Sequence, residues 1–405
     1  MGLALINLGV ISLDVETIKA FAYHFFNISF ISVGLTPAVI NKKKQSKEKK
    51  IFKGSLWMAL VQAVSFPMQA IIGSVVVLFF ILGGKALFKT FGFLLPLAFN
   101  EGPGQALSFG KVWETAGFAD ASTIGLTFAT LGFFFAFFIG VPLANRGLKK
   151  EKFKKKPMPP FLLKGILPKG EPSKSAGSLT THSASLDSLA FHIAQIGLVY
   201  LITYFFLSFL AGLLPNDMSS MIWGFFFLFG LVIAILIRIL FQLSPFGHLL
   251  NHPIQRRITG FSIDYLIVAT GCGIELLVVG KHVAPIILIA VTGGLITTLV
   301  VLLLGSKLSD YKLERTVSIY GVVTGTVSTG LMLLRIVDPE LKTPVAREIG
   351  FMNLFAVPIV GGLTCLLNAP FWWGWSVVVT CLVLGLILIA ALVVLLNRRL
   401  WKNKN

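Results

Sequence analysis

Apolar residues run almost unbroken along most of the chain, and charges, prolines and glycines interrupt them at intervals that suit membrane-spanning helices. The pattern predicts spans at about 19–40, 54–83, 122–145, 189–213, 218–243, 262–281, 283–306, 348–371 and 374–396. Each is long enough to cross a bilayer, which takes about 20 residues. Two further segments are apolar at their ends and broken in the middle. Phe91 to Trp113 reads FGFLLPLAFNEGPGQALSFGKVW, with Asn100-Glu101-Gly102-Pro103-Gly104-Gln105 at its centre. Thr316 to Val337 contains Gly321-Val-Val-Thr-Gly-Thr-Val-Ser-Thr-Gly330. A helix running straight through the first would leave backbone groups unpaired in lipid.

Composition narrows the class. The chain is 55% hydrophobic and 13% charged, against about 25% charged for a soluble domain. Soluble enzymes, disordered chains and nucleic-acid-binding domains are thereby excluded, and an all-α polytopic membrane protein remains. Cys272, Cys365 and Cys381 lie in apolar stretches without CxxC spacing, which reads as small buried residues rather than a disulfide or metal site.

The net charge of +18 comes from three places. Lys42 to Lys53 carries seven Lys against Glu48. Arg146 to Lys174 carries ten basic residues against two acidic ones, and the tail has Arg398, Arg399, Lys402 and Lys404. The positive-inside rule puts all three on the cytoplasmic side. Counting spans between them then requires the segments 91–113 and 316–337 to enter and leave by the same face, from opposite sides of the membrane. Re-entrant hairpins of that kind are what two inverted repeats produce. Short matches agree: Lys111-Val112-x-Glu114 with Arg335-Ile336-x-Asp338, Val141-Pro142-Leu143 with Val357-Pro358-Ile359, and Val33-Gly34-Leu35 with Cys272-Gly273-Ile274.

The expected organisation is a first repeat over 1–145 with a hairpin near 91–113, a basic and flexible cytoplasmic linker over 146–188, and a second repeat over 189–371 with a hairpin near 316–337. An extra span and basic tail occupy 372–405, with Trp372, Trp373 and Trp375 as interfacial anchors. The first repeat lacks a counterpart to the spans 189–213 and 218–243, so it is expected to be incomplete at its N-terminus.

The candidate chemistry lies in the two hairpins. Asn100, Glu101, Gly102, Gly104, Gln105 and Ser108 of the first and Gly325, Thr326, Ser328, Thr329 and Arg335 of the second are candidate substrate contacts. Glu101 binds a cation or proton, pairs with a basic residue, or else caps the helix that starts near Gln105. Thr324, with its neighbouring hydroxyls, supplies oxygen ligands for a cation, or the segment is a small-residue packing surface. Arg335 grips a carboxylate with its planar fork, or pairs with Asp338. Asp338 and Glu275 complete the candidate ion ligands. His24, His192 and Arg238 read as interhelical hydrogen-bonding or snorkelling residues. No catalytic constellation or cofactor motif is present, so an enzyme is not expected.

With these residues in view, the chain resembles the bacterial sodium/glutamate symporter family. The resemblance lies in Glu101-Gly102-Pro103-Gly104 through Gly110-Lys111, in Gly117-Phe118-Ala119-Asp120-Ala121, and in Ala129-Thr130-x-Gly132 leading to Gly140-Val141-Pro142. It continues in Gly321-Val-Val-Thr-Gly325-Thr-Val-Ser-Thr329 and Val357-Pro358-Ile359-Val360-Gly361. The family has His and Trp in its first loop where this chain has Pro103 and Phe109, a glycine where Glu101 stands, and Ala-Thr-Pro where Thr326-Val327-Ser328 stands. The resemblance implies a homodimeric, elevator-type symporter in the bacterial inner membrane that uses sodium, without a cofactor or resident metal, to carry glutamate or a related acidic amino acid or dicarboxylate. A passive ion channel and a proton-coupled carrier of another solute are the alternatives.

Overall fold

A computed structural model describes residues 14–36, 45–150, 177–182, 184–214, 219, 221–339 and 343–397. Among these, every regular element is helical. In chain order they are α1 (Val15–Leu35), α2 (Gln45–Leu82), α3 (Leu94–Phe99), α4 (Pro103–Thr115), α5 (Ala121–Phe138), α6 (Gly140–Lys150), α7 (Ser188–Leu213) and α8 (Phe226–Leu243). There follow α9 (His252–Cys272), α10 (Leu276–Lys281), α11 (Val283–Ser306), α12 (Lys312–Val323), α13 (Val327–Val337), α14 (Val345–Leu367), α15 (Ala369–Trp372) and α16 (Val377–Leu396).

Eight helical stretches among the described residues are long and apolar enough to cross a membrane: Val15–Leu35, Ile51–Leu82, Ala121–Leu148, Ser188–Leu213, Ile222–Leu243, Val283–Ser306, Val345–Leu367 and Val377–Leu396. They match eight of the nine expected spans. The exception is 262–281, where the chain forms no continuous span. Instead α9 starts ten residues earlier, ends at Cys272, and gives way at Gly273-Ile274-Glu275 to the six-residue α10. Gly273 closes a turn onto the Thr270 carbonyl, and Glu275, in an extended conformation, precedes α10. The apolar run hid this break because Gly271 and Gly273 are set among apolar residues with no proline or run of charge beside them.

Residues 177–182 and 184–188, part of the expected flexible linker, carry hydrogen bonds of their own. The Ser188 hydroxyl accepts from the Thr180 and Thr181 N–H groups, and the Asp187 carboxylate caps α7 through the Leu189 and Ala190 N–H groups. Residues 151–174 and the tail 398–404, which carry much of the basic charge, lie outside the described residues.

The chain folds into two compact units. One takes residues 16–36 and 177–269. Its core packs Ile31 and Leu35 of α1 against Ile196, Val199 and Leu207 of α7, Phe226 and Ala234 of α8, and Ile258 of α9. Polar residues join the same helices: the Ser32 hydroxyl meets Gln255, and His24 Nδ1 lies 2.7 Å from the Tyr200 hydroxyl. His192 bridges the Ser188 carbonyl and the Asn251 N–H, and Arg238 donates to the Thr36 carbonyl. These are the interhelical and end-of-helix roles expected of them.

The other unit takes residues 45–150 and 270–397 and contains both broken segments. Its long helix α2 packs along α14 and α16 and also against α3, α11 and α12. Trp57, Met58 and Val64 of α2 share a core with Val317 and Tyr320 of α12, Leu333 and Leu334 of α13, and Ile349 and Met352 of α14.

Candidate functional site

Each broken segment folds as two short helices packed side by side. The pairs are α3 with α4 and α12 with α13. The first break follows from its sequence: Gly102 takes φ +84°, ψ −175°, a region open essentially to glycine alone, and Pro103 then begins α4, where a missing N–H costs nothing. The second break uses hydroxyls. Thr324 ends α12 with its Oγ1 returned to the Tyr320 carbonyl at 2.7 Å, and Thr326 caps α13 by accepting from the Thr329 N–H.

The two breaks face one another. A Cβ placed on Gly102 would lie 2.7 Å from Thr326 Cγ2 and 3.0 Å from the Gly325 carbonyl oxygen. Both α4 and α13 therefore begin at the meeting point, and each brings a helix N-terminus with its unpaired N–H groups. Helix α5 passes close to both breaks, since a Cβ on Gly132 would meet the Thr324 carbonyl and the Phe99 ring.

A single turn of α2 holds the two breaks from behind. Ser65 accepts from Asn100 Nδ2 at 2.7 Å. Four residues on, Gln69 donates to the Val323 carbonyl at 3.0 Å and to Thr297 Oγ1 of α11 at 3.1 Å. Ser65 and Gln69 are residues that reading the sequence did not single out. The signal was the spacing of Gln62, Ser65 and Gln69 along one helical face of an apolar run, with Pro67 marking the turn.

The expected site residues divide into those at the breaks and those away from them. Asn100, Gln105 and Ser108 are buried at the first break. Glu101, half-buried, accepts from Gln105 Nε2 at 2.8 Å. Glu101 immediately precedes the N-cap residue Gly102, which has no side chain to cap α4, and its carboxylate bonds the Gln105 side chain in the first turn of that helix. Gly104 is buried in the first turn of α4, and Gly325, Thr326, Ser328 and Thr329 surround the second break. Arg335 is exposed and lies nine residues along α13 from Thr326, about 13 Å at the helical rise. Asp338 is twelve residues away and accepts from the Thr343 N–H and hydroxyl.

Glu275 also lies away from the breaks. It accepts from Thr123 Oγ1, next to Ser122, which binds Glu114 at the far end of α4, about 18 Å from Gly102. The expected ion ligands Glu101, Thr324, Asp338 and Glu275 thus do not form one group.

A buried ion pair holds the far end of the second broken segment. Arg315 Nε and Nη2 donate to the two carboxylate oxygens of Glu348 at 2.8 and 2.7 Å, and Glu348 is 0% exposed. The Ser55 hydroxyl donates to the Glu348 backbone carbonyl, and Gly54 leaves room for the carboxylate, where a Cβ would collide. The pair joins residues 33 positions apart, a separation at which no spacing rule applies.

Compared with known proteins, the chain matches no family model, no curated protein and no solved structure.

Proposed function

We propose that the chain is an ion-coupled secondary transporter built from two inverted repeats with re-entrant hairpins. It carries a small organic anion, with glutamate, a related acidic amino acid or a dicarboxylate as the substrate class and sodium as the driving ion. The observation that carries this reading is the meeting of two broken helix pairs at Gly102 and Gly325-Thr326. Backbone broken at membrane depth is tolerated only where protein or a water-filled cavity covers it, and carriers use such breaks as binding sites. Two helix N-termini directed at one place favour an anion.

The packing of this unit supports the repeat. Helix α2 precedes the first broken pair and packs on it, as α11 precedes and packs on the second. Helix α2 also packs on α14, which follows the second pair, and α11 packs on α5, which follows the first. Reciprocal pairing of this kind is what a two-fold relation between repeats generates. On this reading Asn100, Glu101, Gly102, Gly104, Gln105 and Ser108 face Gly325, Thr326, Ser328 and Thr329 across the substrate site, and Arg335 stands outside it. A homodimer in the bacterial inner membrane, moving by an elevator mechanism, completes the reading.

Uptake into proteoliposomes tests it, with a panel of acidic amino acids and dicarboxylates and with the sodium gradient present or collapsed. Accumulation against a gradient that vanishes with the sodium gradient is expected. Equilibration at channel-like rates without sodium would sink the carrier, and accumulation driven by a proton gradient alone would replace the ion.

A further inference from the structure

Of the residues that form the two breaks, 100–108 and 324–329, only Glu101 carries a charge. The fold does not call for it. Phe99 ends α3 three residues before the N-cap Gly102, and Val323 ends α12 three residues before the N-cap Thr326. Glu101 and Gly325 therefore hold the same place, and the second break closes there with a glycine.

The elements packed on the first pair supply no counter-charge. Helices α2, α5 and α11 pack against α3 or α4, and they carry no charged or titratable side chain between Gly54 and Gly84, over 121–138 or over 283–306. Lys85 and Lys89, which precede the pair, are exposed. Lys111 lies eight residues into α4, about 12 Å from its start at the helical rise. Across the break, Arg335 is exposed and Arg315 is bound to Glu348. Nor is Glu101 joined by other acids, histidines or cysteines into a group able to hold a metal ion among the described residues. What remains to neutralise a carboxylate at this depth is a proton or a charge brought by a ligand.

The contact that Glu101 does make favours the proton. Gln105 Nε2 donates to Glu101 Oε2 at 2.8 Å, which orients the amide. The other end of that amide, Gln105 Oε1, is buried and has no donor among the described residues. An ionised carboxylate only accepts and leaves this oxygen unanswered, whereas a protonated one also donates. The nitrogen and oxygen of an amide share one carbon, so an acid that accepts from Nε2 can return its O–H to Oε1 and close a ring of two hydrogen bonds. One proton on Glu101 Oε1 satisfies both groups.

Coupling to the anion follows from position. Glu101 stands immediately before the N-cap of α4, whose unpaired N–H groups, with those of α13, are offered to the anion. An ionised Glu101 and a bound anion would set two negative charges at one helix start, and like charges sharing a site do not both persist. We propose that the protein takes up one proton with each anion, held on Glu101 and closed against Gln105. The proton comes from water on the side from which the anion enters, an O–H bond forms at Glu101 Oε1, and the bond breaks when the anion leaves. This deepens the carrier reading and rests on it for the anion; the proton accompanies sodium and does not replace it.

Binding to the purified full-length protein in detergent tests the proposal. The probes are L-glutamate, L-aspartate, succinate and L-malate, in saturating sodium, from neutral to mildly alkaline pH, where the carboxylates of all four are ionised. For each probe that binds, mixing in weakly buffered solution with an indicator dye is expected to draw about one proton per anion from solvent at the alkaline end. Because the proton is bound with the anion, the dissociation constant should rise with pH, by up to about tenfold per unit. An infrared difference spectrum should show the band of a protonated carboxyl appearing with the anion. Glu101→Gln, which keeps a donor for Gln105 Oε1, is expected to bind without proton uptake, without the band and without pH dependence. Glu101→Asp, which keeps the acid, is expected to retain proton uptake and guards against a glutamine variant that fails to fold.

Binding that ignores pH and draws no proton would overturn the proposal, as would proton uptake that survives Glu101→Gln. Binding confined to the two amino acids without proton uptake would overturn it in favour of their ammonium group. Binding with proton uptake in a protein that fails to accumulate solute would leave Glu101 standing and remove the carrier. Sodium-driven accumulation without proton uptake would do the reverse, and a protein that binds none of the four probes would remove both.

Discussion

The two broken helix pairs perform the same manoeuvre with opposite economies. At the second break the polar groups are satisfied locally: Thr324 returns its hydroxyl to its own helix and Thr326 caps the next. Its far end is clamped by the buried Arg315–Glu348 pair. At the first break the backbone relies on Gly102 at positive φ, and the Asn100 amide donates to Ser65 of α2 and that of Gln105 to Glu101, while both amide oxygens have no partner among the described residues. Its far end is held by hydrogen bonds, Glu114 with Ser122 and Trp113 with Asn368. One break is self-contained and anchored by charge. The other is incomplete by itself, which is the condition expected of the side that takes a ligand.

The largest test of this contrast is at the charged anchor. Glu348→Gln should cost about 3–5 kcal/mol, because it leaves the Arg315 guanidinium buried without its counter-charge. Thermal unfolding in detergent measures it, and a double variant, Arg315→Met with Glu348→Leu, should recover most of the loss. A double variant as unstable as the single one would show that the anchor works through its shape.

Next in size is Gly102→Ala, which forces a side chain into a glycine-only region at about 1–3 kcal/mol and drives its Cβ against Thr326. Gly325→Ala should cost less, since the nearest atom its Cβ meets is the Thr329 hydroxyl at 2.9 Å, which can rotate away. Melting temperatures in the reverse order would mean that the second break is the more constrained of the two.

Thr326→Ala should cost about 1 kcal/mol as a lost helix cap, read in the same assay, with Thr326→Ser restoring it. The smallest effect is expected at Arg335→Gln. An exposed side chain away from both breaks should change stability by no more than about 0.5 kcal/mol and leave the substrate concentration for half-maximal uptake unaltered. A large rise in that concentration would bring Arg335 into the site.

Much of the contrast was legible in the sequence. Gly102-Pro103-Gly104 and the Thr-Gly-Thr run at 324–326 announce breaks because glycine, proline and hydroxyl residues have few other uses in the middle of an apolar stretch. The lengths of eight spans followed from hydropathy alone. The Gly273 break did not, because glycines scattered in a long apolar run, here Gly271 and Gly273, are compatible with an unbroken helix. The roles of Ser65 and Gln69 are harder to read: with Gln62 they mark a polar face of the helix, but what that face binds depends on what lies across from it. Glu275 and Asp338 were drawn into the ion set by their charge and depth, and the fold gives them the partners Thr123 and Thr343 instead. Arg315 and Glu348 lie near the ends of apolar runs, where charges ordinarily mark the edge of a span, and only the packing of α12 on α14 turns them inward.

Pro67 sits inside α2, between Ser65, which grips one break, and Gln69, which grips the other. A proline there removes the hydrogen bond that the Ala63 carbonyl would receive, and so softens the helix between the two grips. The one turn of the long helix from which both breaks are held is therefore also the turn that lacks one of its own hydrogen bonds, so the spacing of the two holds rests on side-chain packing more than on the helix ladder.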